Sequence, residues 1–108
     1  MSITINIRYA GRGDSALRFA REMLSSGTVD AIRAEPGNLR YEYYVPLCGG
    51  GEVLLIDSWR DQAALDAHHA SPMMARIAEL RDRYDLHMRV ERYESADAPA
   101  GDAAFTRR

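Results

Sequence analysis

Two adjacent histidines, His68 and His69, are the residues of this sequence best suited to acid–base chemistry. They lie in the segment ALDAHHASPMM, residues 64–74, and are two of the three histidines among 108 residues. Histidine is the side chain whose ordinary pKa lies closest to neutrality. The segment has helical spacing, and neighbouring side chains on a helix diverge by about 100°. We therefore predict that only one of the two faces a pocket.

Helical periodicity alone does not decide which histidine faces inward. Leu65 must face the sheet if this helix is to bury anything. His68 lies about 60° from Leu65 around the helix and His69 about 40° on the other side, so periodicity slightly favours His69. A purely structural role, as a helix-end histidine bonded to the backbone, is the alternative for His68.

Other motifs exclude several kinds of chemistry. All 14 basic residues are arginine, which excludes a lysine Schiff base or a lysine general base. No Cys/His or His/carboxylate spacing matches a metal site, so no metal is predicted. The run GGG at 49–51 is followed by neither a helix nor a Lys-Ser/Thr pair, so it predicts a hairpin turn and not a phosphate-binding loop.

Length and composition are typical of one small soluble domain. Hydrophobic residues make up 46% of the chain and charged residues 28%, and the formal net charge is −2. No basic patch for a nucleic acid is evident, and the longest apolar run, VLLI at 53–56, is too short to span a membrane. The N-terminal segment lacks the pattern of a signal peptide. The single Cys48 forms no internal disulfide, so a reducing cytoplasm is expected.

Four segments have the alternation or the apolar content of β-strands. They are ITINIRY (3–9), LRYEYYVPL (39–47), VLLIDSW (53–59) and LHMRVERY (86–93). A helix follows the first strand, with a kink or bulge predicted at 25–28 around Gly27. Asp61 is the predicted N-cap of a helix over DQAALDAHHA. Ser71 is the predicted N-cap of the next helix, with Pro72 as its first helical residue. The order β-α-β-β-α-β predicts a ferredoxin-like split βαβ fold, an α+β fold with a four-stranded antiparallel sheet.

The same pattern predicts one domain over residues 1–94 and a small, polar tail over 95–108. The tail is expected to be disordered or packed on a partner subunit. Alternate residues of 39–45 should share the buried face of the second strand, and the third strand should be buried on both faces. The sheet face without helices carries its own apolar load, so a homodimer is expected to cover it.

Two segments resemble the antibiotic biosynthesis monooxygenase family. The first, IRAEPGNLRYEYY, has a Glu-Pro-Gly turn that leads into the second strand at Tyr41. The second, VLLIDSWRDQAALDAHHASP, has the family's spacing of tryptophan, Ala-Leu, histidine and Ser-Pro. The resemblance extends over residues 3–93. It implies a dimeric α+β barrel, whose members include cofactor-free oxygenases of aromatic polyketides and quinols, haem-degrading enzymes and an isomerase of a signal molecule.

The family pattern implies roles for particular residues. It places the pocket histidine at His68, as base or hydrogen-bond donor. By register from Gly13, Asn6 corresponds to an asparagine that orients substrate or oxygen in several oxygenase relatives. Walls for an aromatic substrate are expected from Trp59, Tyr41, Tyr43, Leu65 and Met73. Ordinary core or surface packing is the alternative for each, and many relatives have a histidine where this chain has Met73.

The resemblance therefore implies a cofactor-independent monooxygenase that oxidises an electron-rich phenol, hydroquinone or aromatic polyketide with dioxygen. A base would remove the phenolic proton, the anion would pass an electron to dioxygen, and the radicals would recombine to a hydroperoxide. No cofactor is expected, and the expected partners are a small aromatic molecule and a second copy of the chain. The alternative is a small-molecule binding or isomerase member of the same fold, which the methionine at position 73 favours.

Overall fold

One antiparallel sheet of four strands organises the protein in the computed structural model, which describes residues 1–107. The strands are β1 Ile3–Ala10, β2 Asn38–Tyr44, β3 Val53–Trp59 and β4 His87–Glu94. Their spatial order is β2-β3-β1-β4, and each neighbouring pair is antiparallel. The predicted α+β fold with a four-stranded antiparallel sheet is confirmed.

Four helices cover one face of this sheet. They are α1 Ser15–Ser25, α2 Thr28–Arg33, α3 Gln62–His69 and α4 Met73–Arg83. Alternate residues of the central strands face the helices and are buried, for example Ile7 on β1 and Leu55 on β3. On the other face, Leu54 and Ile56 are only half-buried. The expected burial of β3 on both faces is therefore wrong at these two residues, because the described helices lie on one side.

Gly27 separates α1 from α2. Its φ of +81° lies in the left-handed region, which glycine adopts readily because it has no Cβ. At the end of α1 the backbone N–H of Ser26 donates to the carbonyl of Glu22 at 2.9 Å, and Gly27 then redirects the chain. The interruption predicted at residues 25–28 is present. It is a complete break between two helices, however, and not a kink or bulge within one.

Replacing Gly27 with alanine is expected to destabilise the protein by roughly 1–2 kcal/mol, because a Cβ in the left-handed region meets its own backbone. The space around Gly27 is open, so no clash with a neighbour adds to this strain. Urea denaturation followed by circular dichroism measures the change. Gly101→Ala is the matched control, since Gly101 also has open surroundings but no positive φ. Equal stabilities of the two variants would contradict the prediction.

The starts of α3 and α4 differ in their capping. Asp61 accepts a hydrogen bond from the backbone N–H of Ala64 at 2.9 Å, as predicted for the N-cap of α3. At α4 the N-cap is Pro72, one residue later than predicted. The hydroxyl of Ser71 is buried and has no hydrogen-bond partner among the described residues. The predicted Ser71 cap is therefore wrong.

A β-bulge changes which residues of β2 face the core. The register of β2 against β3 shifts at Leu39, so this residue leaves the alternation and is 59% exposed. Val45 follows the end of the strand and is also exposed. Of the alternate residues predicted to share the buried face, only Tyr41 and Tyr43 pack into the core.

β4 and residues 95–107 after it are exposed along their whole length. Part of the tail forms a short 3₁₀ helix, Ala100–Phe105, without a buried residue. Arg108, the last residue of the predicted tail, lies outside the described residues, and the division of the chain after residue 94 stays a prediction. No helix within residues 1–107 is long and apolar enough to cross a membrane.

Candidate functional site

A cavity of about 280 Å³ lies between the helix-facing side of the sheet and helices α3 and α4. Its apolar walls come from β1, β4 and both helices, with Ile5, Ile7, Leu65, Ile77, Met88 and Val90. Its polar lining includes Asp57, His68, Arg81 and Arg92. A mainly apolar cavity with a few converging polar groups is the usual form of a small-molecule site.

Asp57 is a carboxylate among the alternate residues of β3 that face the core. Side chains alternate along a strand, so Asp57 faces the helices together with Leu55 and Trp59. The register places it between Ile5 of β1 and Tyr41 of β2, and it is only 5% exposed. The indole N–H of Trp59 donates a hydrogen bond to Oδ1 of Asp57 at 2.6 Å. This bond fixes the orientation of the carboxylate at the cavity.

Burial raises the pKa of Asp57 to about 6, because a charge is poorly solvated in the core. The hydrogen bond from Trp59 and the nearby His68 and Arg81 act in the opposite direction and keep the pKa from rising further. A carboxyl group with such a pKa exchanges a proton readily near neutral pH, as a general acid or base must.

His68 is held by a carboxylate on one nitrogen and by an aromatic ring against its face. Its Nδ1 lies 2.9 Å from Oε1 of Glu35, and its ring stacks on Trp59 with the ring centroids 4.7 Å apart. The side chain is only 3% exposed. With Nδ1–H donating to Glu35, the neutral ring presents Nε2 as a hydrogen-bond acceptor. Glu35 thus prepares His68 to accept a proton through Nε2.

Arg81 supplies a fixed positive charge to the same cavity. Its Nη2 and Nε donate to the hydroxyl oxygen of Tyr9 at 2.7 and 3.2 Å. Tyr9 is fully buried, and burial raises its pKa, so it stays a neutral phenol. No ion pair among the described residues involves Arg81. Its charge is therefore available to an anion formed in the cavity.

His68 and His69 both border the cavity, but only His68 is buried. His69 is exposed and meets the cavity from its solvent side, so the prediction that only one of them lines it is wrong. The burial of His68 agrees with the spacing in the family pattern and not with periodicity alone. His68 and the buried Leu65 share the inner face of α3.

Two of the predicted wall residues, Tyr41 and Leu65, line the cavity. Burial raises the pKa of Tyr41 well above its ordinary value, so its hydroxyl stays protonated at neutral pH. Trp59 is fully buried and does not line the cavity, because the ring of His68 is stacked over it. Its contribution is to hold Asp57 and His68 in place.

Tyr43 and Met73 are predicted wall residues that the structure places in the core. Tyr43 lies two residues, roughly 7 Å, beyond Tyr41 along β2, where it meets Phe19 edge-on with ring centroids 6.4 Å apart. Met73 packs against the core, and the next residue, Met74, lines the cavity instead. Of these two methionines, only Met74 therefore contributes to the cavity wall.

Asn6 lies on the face of the sheet that is turned away from the cavity. Its neighbours Ile5 and Ile7 line the cavity, and side chains alternate along β1. The Oδ1 of Asn6 is buried without a hydrogen-bond partner in residues 1–107. This corrects the expectation that Asn6 lines the pocket and orients substrate or oxygen there. That placement depended on register, and a slip of one residue moves a side chain to the opposite face.

Three site residues, Asp57, Glu35 and Arg81, were not predicted from the sequence. Asp57 is the one charged residue of the apolar strand VLLIDSW, at a position that alternation turns toward the helices, so its pattern is informative. Arg81 follows Ile77 by one helical turn and shares its face. Nothing local marks Glu35, which contacts a histidine 33 residues away.

The arrangement is suited to moving a proton between the protein and a bound molecule. Asp57 and His68 border one mainly apolar cavity, and Arg81 beside them stabilises negative charge. Within residues 1–107 no three His, Cys, Asp or Glu side chains are grouped so as to hold a metal ion. The site is thus suited to forming the anion of a small molecule and stabilising its charge.

Several solved structures share this architecture at low sequence identity. A protein of Deinococcus radiodurans, described as a candidate antibiotic biosynthesis monooxygenase, superposes with a TM-score of 0.75 at 20% identity, over 92% of this chain and 96% of its own. Rv0793 of Mycobacterium tuberculosis superposes with a TM-score of 0.69 at 26% identity, over 93% of this chain and 100% of its own. SnoaB, a cofactor-independent oxygenase of Streptomyces nogalater, superposes with a TM-score of 0.73 at 14% identity, over 92% of this chain and 97% of its own.

The sequence itself matches a protein-family model, whereas no curated protein matches it significantly. The model, described as antibiotic biosynthesis monooxygenase, matches residues 2–80. This range includes three of the four strands and both Asp57 and His68. Because the match covers well over half of the chain, the protein belongs to the antibiotic biosynthesis monooxygenase family.

Proposed function

We propose that this protein is a cofactor-independent monooxygenase that oxidises an electron-rich phenol, hydroquinone or aromatic polyketide with dioxygen. The observation that carries the proposal is the buried His68, bonded to Glu35 and lining a mainly apolar cavity. Nε2 of His68 accepts a proton during the reaction, and the apolar walls limit the access of water to a reactive anion. Membership of a monooxygenase family supports this type of reaction.

The size of the cavity favours a substrate of one or two rings. Its volume of about 280 Å³ lies just below the range of about 300–1,000 Å³ for ligand pockets. A large polyketide would enter with only part of its ring system. A hydroquinone or a small fused phenol fits best, with Leu65, Ile77 and Val90 as apolar contacts.

In the proposed reaction a base in the cavity removes the phenolic proton, and the phenolate passes one electron to dioxygen. The phenoxyl and superoxide radicals combine at a ring carbon that bears hydrogen, which forms a C–O bond. The peroxide is protonated, its O–O bond breaks, and the ring hydrogen leaves as a proton, so a quinone and water result. Arg81 stabilises the negative charge while it resides on oxygen.

An oxygen electrode with a panel of hydroquinones and naphthols tests the proposed function. We expect the protein to accelerate dioxygen uptake and to form one quinone for each dioxygen consumed, with the quinone followed by its absorbance. The same panel without protein gives the background rate of autoxidation. No acceleration with any member of the panel would refute the oxygenase.

A non-oxygenase function in the same cavity is the second candidate. Asp57 and His68 border one cavity, and such a pair can move a proton between two atoms of a bound molecule without dioxygen, as an isomerase requires. Calorimetric binding of a panel member together with no dioxygen uptake would favour this candidate over the oxygenase.

We infer that the protein is a homodimer assembled through the open face of the sheet. Tyr44 and Tyr93 on that face are exposed, and Leu54 and Ile56 are half-buried. The buried Oδ1 of Asn6 on the same face has no partner in residues 1–107. Tyr44 is paired with Leu54 across β2 and β3, and with Ile56 they form an apolar patch on this face. Exposed apolar patches mark protein interfaces.

Light scattering is expected to give a mass of about 24 kDa, twice the 12.1 kDa of the chain. Ile56→Arg should shift the protein toward the monomer, because it buries an unpaired charge at the proposed interface. Leu24→Arg is the matched control, since Leu24 is exposed on α1, away from the sheet. A monomer mass for the wild type at micromolar concentration would contradict the dimer.

We also place the protein in the cytoplasm. Its one cysteine, Cys48, is exposed and is a free thiol in the structure. Free thiols persist in a reducing compartment, whereas secreted proteins usually pair them in disulfides.

A further inference from the structure

Asp57 is a buried carboxylate that packing alone does not require. It is 5% exposed in a core-facing row of β3, and its one side-chain hydrogen bond among the described residues is accepted from Trp59. Asparagine would accept that bond equally well. Burying a charge is unfavourable unless the charge is paired, and no ion pair among the described residues involves Asp57. A carboxylate at this position therefore points to chemistry in the cavity that it lines.

We propose that Asp57 is the catalytic base that accepts the phenolic proton and later returns it to the peroxide oxygen, which leaves Nε2 of His68 to accept the ring proton. The inference rests on the proposed function and divides its proton transfers between two side chains. Both side chains line the same cavity, and Trp59 holds both, one by a hydrogen bond and the other by stacking.

Titratable or charged groups face Asp57 from each element packed against it. They are Tyr9 on β1, Tyr41 on β2, His68 on α3 and Arg81 on α4, with Arg92 of β4 in the same cavity. Glu35 acts against ionisation of Asp57, but its carboxylate is bonded to His68. Burial beside Arg81 sets the pKa of Asp57 at about 6, so the group is ionised at neutral pH and still basic enough to take a proton.

The protons balance within the site. The phenol O–H bond breaks, and Asp57 takes the proton. After the C–O bond has formed, the same proton passes from Asp57 to the terminal peroxide oxygen. The O–O bond then breaks, hydroxide leaves, and the ring proton goes to Nε2 of His68 and from there to hydroxide as water. Phenol and dioxygen give quinone and water, and both side chains end as they began.

The pH dependence of turnover tests the role of Asp57. Wild-type kcat/KM is expected to rise with pH through about 6, as Asp57 ionises. Asp57→Asn keeps the acceptor for Trp59 but takes no proton, so it should lose this rise and about 10²–10⁴-fold in kcat/KM. Asp82→Asn, on the exposed end of α4, is the matched control with unchanged activity. Wild-type activity with the same pH profile in Asp57→Asn would overturn the proposal.

A second variant changes the surroundings of Asp57 and keeps the carboxylate. Arg81→Gln removes a positive charge that favours ionised Asp57. The rise in kcat/KM should therefore move to higher pH, by about half a pH unit or more. If Asp57 serves only as the hydrogen-bond acceptor of Trp59, the rise in kcat/KM stays at the same pH in this variant.

Binding without dioxygen separates this inference from the proposed function. The probe is 4-nitrophenol, whose ionised form absorbs visible light. Ionising it beside charged Asp57 places two negative charges together, so the bound probe should ionise about one pH unit or more higher in the wild type than in Asp57→Asn. This difference without dioxygen uptake would refute the oxygenase but support the placement of the Asp57 carboxylate close to the phenol oxygen, which proton acceptance requires. Equal ionisation, or no binding by the wild type, would overturn the role of Asp57.

Discussion

Replacing His68 with alanine is expected to slow the oxidation of hydroquinones by a factor of about 10²–10⁴, the usual contribution of a positioned general base. The change removes Nε2 and leaves the apolar walls of the cavity in place. The loss should therefore appear in kcat, with a smaller change in KM. Initial rates of dioxygen uptake over a range of hydroquinone concentrations measure both constants.

The matched control for this variant is His87→Ala. His87 is exposed at the start of β4 and does not line the cavity, so its loss should leave kcat and KM unchanged. Circular dichroism of both variants shows whether the fold is retained. Equal activities in the two variants would mean that His68 is a packing residue, bonded to Glu35 for structural reasons alone.

Asp57→Asn is expected to be about 3 kcal/mol more stable than the wild type at neutral pH, since one pKa unit corresponds to about 1.4 kcal/mol. The pKa of Asp57 is raised from 3.8 to about 6 by burial. The folded state therefore holds this proton more tightly than the unfolded state, and stability is lost as the pH rises through this interval. Asparagine stays neutral and escapes this loss.

Urea denaturation of the ligand-free protein at a series of pH values measures this effect. The gap in the free energy of unfolding between Asp57→Asn and the wild type should widen from about pH 4 to about pH 7. For Asp82→Asn, on the exposed end of α4, the gap should not change with pH in this way. A constant gap for Asp57→Asn would show that the wild-type carboxylate is not destabilised by its burial.

The strands were predictable because the alternation that specifies them is local. β3 begins and ends where VLLIDSW predicts, and the Asp61 cap acts within one turn of its own helix. Gly27 shows the limit of such reasoning. Its position predicts an interruption, but whether glycine bends a helix or ends it depends on the packing of the next segment, where Val29 and Ile32 are fully buried.

The site was less predictable than the fold, because its pairs form between distant parts of the chain. The family spacing predicts the position of His68 in the pocket. Its partner Glu35, however, lies in a turn that precedes His68 in the sequence by two strands, β2 and β3. The predicted position of Asn6 depends on the register of β1, and a slip of one residue moves its side chain to the opposite face of the sheet. Asp57 has an informative position, but its proximity to Arg81 depends on how α4 packs over the sheet, where Arg81 is hydrogen-bonded to Tyr9 of β1.

β4 allows the selectivity of this protein to change without weakening its fold. Met88, Val90 and Arg92 line the cavity, yet every residue of the strand is exposed, and substitutions of exposed residues usually alter stability little. The strand also lies beyond the residues matched by the family model, 2–80. Evolution or laboratory selection can therefore reshape this wall for larger, smaller or differently charged molecules, while Asp57 and His68, the side chains proposed to move protons, stay buried on other elements.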